Sequence, residues 1–368
     1  MKILHLSTPD TWRGGEQQIA YLLEALPSLG AQQALLSPAC SPLSERADAL
    51  AVPHYGFTKT KIPGGRLRIL QKTVDRYRPD IIHAHDSKAH SLAVAATSLW
   101  GWRIPLVVSR RVDFTPGRAP FSRWKYRHQR VAVYLCVSQA IAAIMRDYLG
   151  EKQRIEVVHS GIRMDAPEPV SKDALRKLLQ IAPDDTAPII GNVAALAPHK
   201  DYLTFLNAAH HLIFDLRKPA HFVMIGGDGG QQQQLLEYRD RYGLRPWVHH
   251  LGFRTDARQL ITALDVFLFT SKTEGLGTSV LDAFLAGTPV VATRAGGIPE
   301  SVIHEQTGLL ASVGDAAKLA AHIRRLLLKP EEAHQLAQKA FQHLKNFDYR
   351  HTAERTYRIY ERILAGRP

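Results

Sequence analysis

The sequence reads as α/β, with two doubly wound domains, each an open parallel sheet between layers of helices. Three observations lead there. Short apolar, β-branched runs recur along the whole chain, and amphipathic stretches separate them. The runs are continuously apolar rather than alternating, the pattern of strands buried on both faces of a parallel sheet. At 368 residues the chain exceeds what one hydrophobic core ordinarily supports.

The elements follow in order. Ile3–Ser7, Asp80–His85, Pro105–Ser109, Val131–Ser138 and Ile155–His159 read as the first series of strands. Ile189–Ala194, Phe222–Gly226, Val266–Thr270 and Val290–Thr293 read as the second. Gln17–Leu29 and Lys200–Leu216 have the spacing of amphipathic helices. Between the series lies a polar stretch carrying Pro167, Pro169, Pro183 and Pro188 with one helical segment around Ala174–Gln180. The break therefore falls within residues 165–185, giving an N-terminal domain 1–168 and a C-terminal domain 169–348. The last helical segment, 349–368, is expected to return to the first domain.

The N-terminal apolar run is too short for a signal peptide and no stretch approaches 18 apolar residues, so neither secretion nor a membrane span is expected. Two isolated cysteines, Cys40 and Cys136, suit a reducing compartment, and a cytoplasmic location is the expectation, extending to the inner face of the cytoplasmic membrane. The formal charge of +13 is uneven: residues 1–160 hold 22 Lys and Arg against 12 Asp and Glu. Most of the excess lies between Arg103 and Arg130, where Arg110, Arg111, Arg118, Arg123, Lys125 and Arg127 meet the single acid Asp113 and are interleaved with Phe114, Phe121, Trp124 and Tyr126. A smaller cluster is Lys59, Lys61, Arg66 and Arg68. Cations beside aromatics suit an anionic membrane surface, sugar phosphates or nucleic acid, and equally a solvated face. No nucleic-acid recognition motif accompanies them, so nucleic acid is not expected as a partner. Arg110, Arg111 and Asp113 directly follow a strand and are the candidates for acceptor binding.

One segment carries the strongest chemical signal, Phe269 to Thr293. A strand ends near Thr270, a polar loop carries Glu274, Gly275 and Gly277, and Thr278 or Ser279 is placed to cap a helix that buries Val280, Leu281, Phe284 and Leu285. Glycines before a helix N-terminus let bare amides reach a phosphate, and the helix dipole favours its charge. Glu274 sits at a strand's C-terminal end, where ligands bind in open α/β sheets, and Asp282 lies one turn into the helix. In the other half, His83 and His85 share one face of a strand, a spacing that admits a metal. No Cys, Asp or Glu cluster accompanies them, and no D-x-D motif appears, so no metal is expected and no cofactor is implied.

Glu274 through Thr293 resembles the signature of family 4 of the glycosyltransferases, in which a second Glu follows the first after seven residues. Further segments resemble that family in the same order: Trp12–Glu16, Ile82–His85, Ile190–Lys200, Val223–Gly229, Leu251–Asp256 and Ala295–Glu300. The resemblance implies the GT-B architecture, two Rossmann-like domains facing across a cleft. It also implies metal-free transfer of a hexose from a nucleoside-diphosphate sugar, UDP or GDP, with retention of anomeric configuration. The acceptor is then a glycan or lipid-linked molecule of bacterial surface polysaccharide or lipopolysaccharide synthesis. By the same resemblance Glu274 contacts the donor sugar, and Asp282, one methylene shorter than the usual Glu, holds the ribose. Leu276, Gly277, Thr278 and Ser279 cradle the diphosphate, Lys200 neutralises it, and Phe253 and Arg254 line the base. Gly14 and Gly15 form the loop that approaches the phosphates, and His85 lies near the reacting sugar carbon. The family pairs its lysine with an arginine five positions earlier, and here that position is Ala195; Arg254 or Arg294 are the candidates to replace it. The alternatives are a sugar-nucleotide epimerase of the same fold and a basic nucleic-acid-binding protein.

Overall fold

A computed structural model describes residues 1–57, 64–117, 119–150 and 153–366. Lys59, Lys61 and Arg118 of the basic clusters lie outside the described residues. The chain forms two compact units, Met1–Gly161 together with Phe347–Pro368, and Ile162–Asn346.

The first unit holds seven parallel strands: β1 Lys2–Leu6, β2 Gln32–Pro38, β3 His54–Phe57, β4 Ile81–Ala84, β5 Leu106–Arg110, β6 Val131–Cys136 and β7 Ile155–Val157. Their order is β3-β2-β1-β4-β5-β6-β7. Helices α1 Gly14–Ala25, α2 Pro42–Ala49, α3 Gly65–Tyr77, α4 Ser87–Trp100, α5 Pro120–Tyr126 and α6 Gln139–Leu149 connect them. The order reverses direction between β1 and β4, and a crevice opens beyond the strand ends at such a switch point. Both faces are buried: Leu4, Leu6, Ile82 and Val108 pack on one side with Ala93 and Ile141, while Ile3, Ile81, Val107 and Val133 pack on the other. That second core is closed by the C-terminal helix Tyr349–Ala365, which contributes Tyr349, Ala353, Ile359 and Tyr360. Gly161 lets this helix approach, since a Cβ there would lie 2.5 Å from the Tyr349 Cα. Tyr349 Oη donates to Glu24 at 2.9 Å and Thr352 Oγ1 to the His159 carbonyl at 2.9 Å, fixing the helix across the sheet.

The second unit begins with α7 Lys172–Leu178 and holds six parallel strands: β8 Ile189–Val193, β9 His221–Ile225, β10 Val248–Gly252, β11 Val266–Phe269, β12 Val290–Thr293 and β13 Leu309–Ala311. Their order is β10-β9-β8-β11-β12-β13, with the same reversal between β8 and β11. The crossovers are α8 Tyr202–His210, α9 Gln232–Arg241, α10 Ala257–Ile261, α11 Thr278–Leu285 and α12 Ile298–Ser301, and α13 Ala316–Leu328 and α14 Pro330–Leu344 follow the last strand. Tyr202, Phe205, Phe222, Met224 and Leu268 are fully buried between the sheet and α8 and α13. Gly226 is required at the end of β9, because a Cβ there would meet the Ala194 carbonyl at 1.9 Å.

Four strands escape the sequence reading: β2, β3, β10 and β13. β2 opens on Gln32-Gln33 and β10 carries His249-His250, so neither is a clean apolar run; β3 and β13 have four and three residues. The expected helix Lys200–Leu216 is α8 continued by a π-helical turn, His211–Asp215. Among the described residues no helix is long and apolar enough to cross a membrane.

Candidate functional site

In the second unit the loops after β8 and β11 converge at the switch point. Thr270, at the end of β11, donates its hydroxyl to the Lys200 and Asp201 carbonyls at 3.1 Å, and the Lys272 amide donates to the His199 carbonyl at 2.8 Å. This brings the Lys200 ammonium onto the Glu274 carboxylate, and both side chains are half-buried. The ammonium also lies 5.0 Å from the Phe269 ring centroid. Ser271 Oγ donates to the same carboxylate oxygen at 3.3 Å, and the Gly297 amide holds the Glu274 carbonyl at 3.0 Å.

α11 starts immediately beyond. Its N-cap is Gly277 at φ +79°, with no side-chain cap, which corrects the expectation that Thr278 or Ser279 caps this helix. The loop turns through a left-handed residue to enter the helix, a conformation that glycine adopts without penalty, so Thr278 already lies in the first turn. The opening amides of a helix have no intrahelical acceptor, so the turn presents bare N–H groups beside the Lys200–Glu274 pair. Leu276 is buried, and Thr278 and Ser279 are half-buried.

Asp282 faces α10, where Arg258 Nε lies 2.9 Å from its Oδ1; the same guanidinium donates to the Arg163 carbonyl at 3.1 Å. Burial raises the Asp282 pKa to about 6, and Arg258 pulls against the rise. Arg254 is held by Asp256 in a two-pronged pair, both contacts 2.7 Å, and Lys272 lies 3.2 Å from Asp201. Arg294 and Ala195 are exposed. Phe253 is 78% exposed, an apolar ring left standing at the end of β10.

In the first unit a histidine stack lies at the switch point. The register pairs His5 of β1 with His83 of β4, and His85 follows β4. His5 Nδ1 lies 2.9 Å from His85 Nε2, and His5 Nε2 lies 3.0 Å from Gln33 Oε1. The Gln33 amide nitrogen donates to the Leu23 carbonyl at 3.0 Å, which leaves its oxygen to accept from His5. Neutral His5 then accepts at Nδ1, so His85 carries its proton on Nε2 and its Nδ1 accepts from Arg111, 3.3 Å away. Arg111 also donates to the His85 carbonyl at 2.9 Å. His83 contacts Tyr360 Oη at 2.6 Å and Ser109 Oγ at 2.8 Å. Burial lowers the His5 pKa to about 4, opposed by the Gln33 hydrogen bond and helped by Arg111; burial, neighbouring imidazoles and Arg111 lower those of His83 and His85 well below the usual imidazole value. Burial brings Arg111 down to about 10, opposed by Glu16 and Asp86.

The ring nitrogens of His5, His83 and His85 lie within 4.8 Å of one another, so the trio has the donor spacing of a metal site. Its chemistry does not fit one. Five of the six ring nitrogens already pair with Gln33, Tyr360, Ser109 or each other, and the sixth faces the Arg111 guanidinium, which repels a cation.

Gly14 and Gly15 form the first turn of α1, after the Arg13 N-cap, whose amide donates to Glu16 at 3.0 Å. A Cβ on Gly15 would meet nothing within 4 Å, and its φ is not positive. Among the acceptor candidates, Arg110 is buried, donates to Tyr126 Oη at 3.2 Å and to the Phe114 carbonyl, and stacks on the Phe114 ring at 4.8 Å. Arg111 is committed to His85, and Asp113 is half-buried in the loop after β5.

Sequence reasoning missed His5, Gln33 and Arg258. The pattern of β1 places His5 on a strand, but only strand register shows that it meets His83. Nothing in the spacing of Arg258 signals its pairing with Asp282, 24 positions away.

Two family models match the chain: Glycosyltransferase Family 4 over residues 12–166, and Glycosyl transferases group 1 over residues 176–343. The chain is 26% identical over 328 residues to the lipopolysaccharide core biosynthesis glycosyltransferase LpsD of Rhizobium meliloti, covering 89% of this chain and 88% of that protein. It is 24% identical over 357 residues to LpsE of the same organism, a protein with the same description, covering 96% of each. Among solved structures it resembles Anabaena HepE, crystallised with UDP and glucose, with a TM-score of 0.84, 23% identity and coverage of 98% of this chain and all of that one.

Proposed function

The chain belongs to family 4 of the glycosyltransferases, and on that premise we propose that it moves a hexose from a nucleoside-diphosphate sugar, UDP before GDP, to a glycan or lipid-linked acceptor. The reading includes retention of anomeric configuration, no metal, and a product in bacterial surface polysaccharide or lipopolysaccharide. Its main support is the meeting of Lys200, Glu274 and the uncapped first turn of α11 at the switch point of one sheet. A cation and bare amides are what a departing nucleoside diphosphate needs, and a carboxylate suits the hydroxyls of its sugar. The pathway part follows the naming of LpsD and LpsE, and the choice of UDP follows HepE.

On this reading the diphosphate displaces Glu274 from Lys200. The ammonium and the amides of Leu276–Ser279 stabilise the charge that develops as the diphosphate leaves. Glu274, released, takes a hydroxyl of the sugar and orients it. Asp282 binds the ribose, Phe253 and Arg254 flank the base, and Gly14 and Gly15 present bare amides to the phosphates. His85 is a neutral imidazole held in one tautomer, suited to positioning the sugar and not to taking a proton from it. Arg110, Arg111 and Asp113 belong to the acceptor side, where Arg111 acts through His85.

The test is turnover. The purified chain is incubated with UDP- and GDP-hexoses, with and without EDTA, alongside total lipid and glycan extracts, and released diphosphate is measured. Release with one donor, unchanged by EDTA, and an α-linked product from an α-donor by NMR support the proposal. A β-linked product, or conversion of the nucleotide sugar to its epimer without release, refutes it.

A further inference from the structure

Two adjoining cavities lie on the Met1–Gly161 unit, and neither belongs to the histidine stack. The larger, about 940 Å³, sits at the C-terminal ends of β1 to β3 and is polar at its floor, with Thr8, Asp10, Asp86 and Ser87. The smaller, about 380 Å³, runs between α3 and α4 and is walled by Leu67, Leu92, Ala95 and Phe121. Both are lined by Thr8, Arg66 and Lys88, so the two form one trough with cations at its waist. Volumes of this size suit small-molecule sites.

The trough is built from the sequence. Lys88, Ser91, Leu92 and Ala95 have the i, i+3, i+4, i+7 spacing of one helix face, so α4 offers a cation at its first turn and apolar side chains for two turns beyond. α5 is fastened alongside: the buried Lys125 ammonium donates to Ser87 Oγ at 3.1 Å and to Ser91 Oγ at 3.2 Å. Phe121, one turn earlier on α5, is thereby held at the trough with 57% of its surface exposed. Arg66 is exposed and rests on the Phe57 ring at 5.6 Å, and Lys88 is exposed. Among the described residues no carboxylate pairs with either cation, unlike Lys200, Arg254 and Arg258 of the other unit. Two unneutralised cations beside a strip of half-exposed Leu, Ala and Phe complement an anion that carries a hydrocarbon chain.

We propose that this trough binds a lipid phosphate, with its phosphate or diphosphate on Arg66 and Lys88 and the first part of its chain against Leu67, Leu92, Ala95 and Phe121. The inference rests on the reading of the chain as a glycosyltransferase and deepens it: the acceptor is lipid-linked, and its sugar end lies toward the polar cavity with Thr8 and Asp10.

Calorimetric titration of the full chain with farnesyl phosphate, below its micellar concentration, tests this without any donor. Farnesol and inorganic phosphate are the controls. Farnesyl phosphate is expected to bind at least tenfold more tightly than either. Lys88→Glu and Leu92→Glu are each expected to weaken it at least tenfold, while leaving the thermal response to UDP as in the parent. Lys88 is exposed, so its variant tests the site even if Leu92→Glu folds poorly. Farnesyl phosphate binding no tighter than inorganic phosphate overturns the proposal. So does Lys88→Glu binding like the parent, or binding of anionic vesicles with no affinity for farnesyl phosphate. A chain that binds farnesyl phosphate but responds to no nucleotide counts against the donor reading alone.

Discussion

Acidification separates the two units by the sign of their buried groups. In the first unit His5 has a pKa of about 4 and His90 of about 3, both lowered chiefly by burial, against about 6.5 in the unfolded chain. The unfolded chain therefore binds more protons as pH falls below 6.5, and the unit loses stability on the acid side. Taking the pH from 7 to 5.5 costs about 1.2 kcal/mol for each such histidine by linkage. His83 and His85 are shifted in the same direction by burial, so four histidines together remove up to about 5 kcal/mol, comparable to the whole stability of many domains. Glu16, raised by burial, acts with the opposite sign. In the second unit His249 is lowered to about 4 by burial, but Asp282, raised to about 6, gains protons on folding in the same window and offsets part of the loss. At roughly 2–4 °C per kcal/mol, the first unit's transition should fall about 10–20 °C between pH 7 and 5.5, and the second unit's by only a few degrees. Scanning calorimetry reads the shifts. Hydrogen exchange in Lys2–Leu6 and Ile81–Ala84 against Ile189–Val193, corrected for intrinsic rates, assigns them. Equal shifts in the two units, or no loss of protection in Lys2–Leu6 and Ile81–Ala84, would refute the reasoning.

Three further outcomes follow from the site. Gly15→Ala should raise stability by up to about 1 kcal/mol, since alanine is the better helix former and its Cβ meets nothing, while turnover falls severalfold if phosphates approach that turn; equal turnover would show that no phosphate approaches it. Glu274→Gln should release Lys200, so UDP affinity is kept or improved while turnover drops by at least about 100-fold, whereas Lys200→Ala should lose about tenfold or more in UDP affinity; titration calorimetry beside a donor assay distinguishes them. Arg258→Ala leaves Asp282 buried without its partner, raises the Asp282 pKa further, and should cost about 1–3 kcal/mol at pH 8, with the deficit shrinking as pH falls through the raised pKa and the carboxylate takes up its proton; denaturant unfolding at pH 8 and pH 5 measures both.

Much of this was legible in the sequence because its signals are local. A strand, a glycine, a helix start and the two acids Glu274 and Asp282 lie within fifteen residues of one another, so the local pattern marks the end of β11 and the start of α11, while the roles of the two acids come from the family resemblance. Even there the capping chemistry was misread, because a left-handed Gly277 enters the helix where a Thr or Ser cap was expected. What stayed hidden is long-range. His5 reaches His85 across 80 positions and His83 reaches Tyr360 across 277, through strand order and the return of the last helix. The fold sorts the cations: Arg110 and Lys125 of the basic stretch are interior tethers, while Arg66 and Lys88, from other parts of the chain, stand exposed together at one trough. Charge counts do not distinguish a cation that holds a loop from one that awaits a ligand; burial and partners do.

On the proposed function, the Lys200–Glu274 corner of the second unit binds a nucleoside diphosphate without a metal. Its most direct test is thermal stabilisation of the full chain by UDP, GDP, ADP, dTDP and CMP, each with and without EDTA. One diphosphate should stabilise by about 3 kcal/mol at a hundredfold excess over its Kd, unchanged by EDTA and lost in Lys200→Ala. No response to any nucleotide, or a response that EDTA abolishes, would contradict the account.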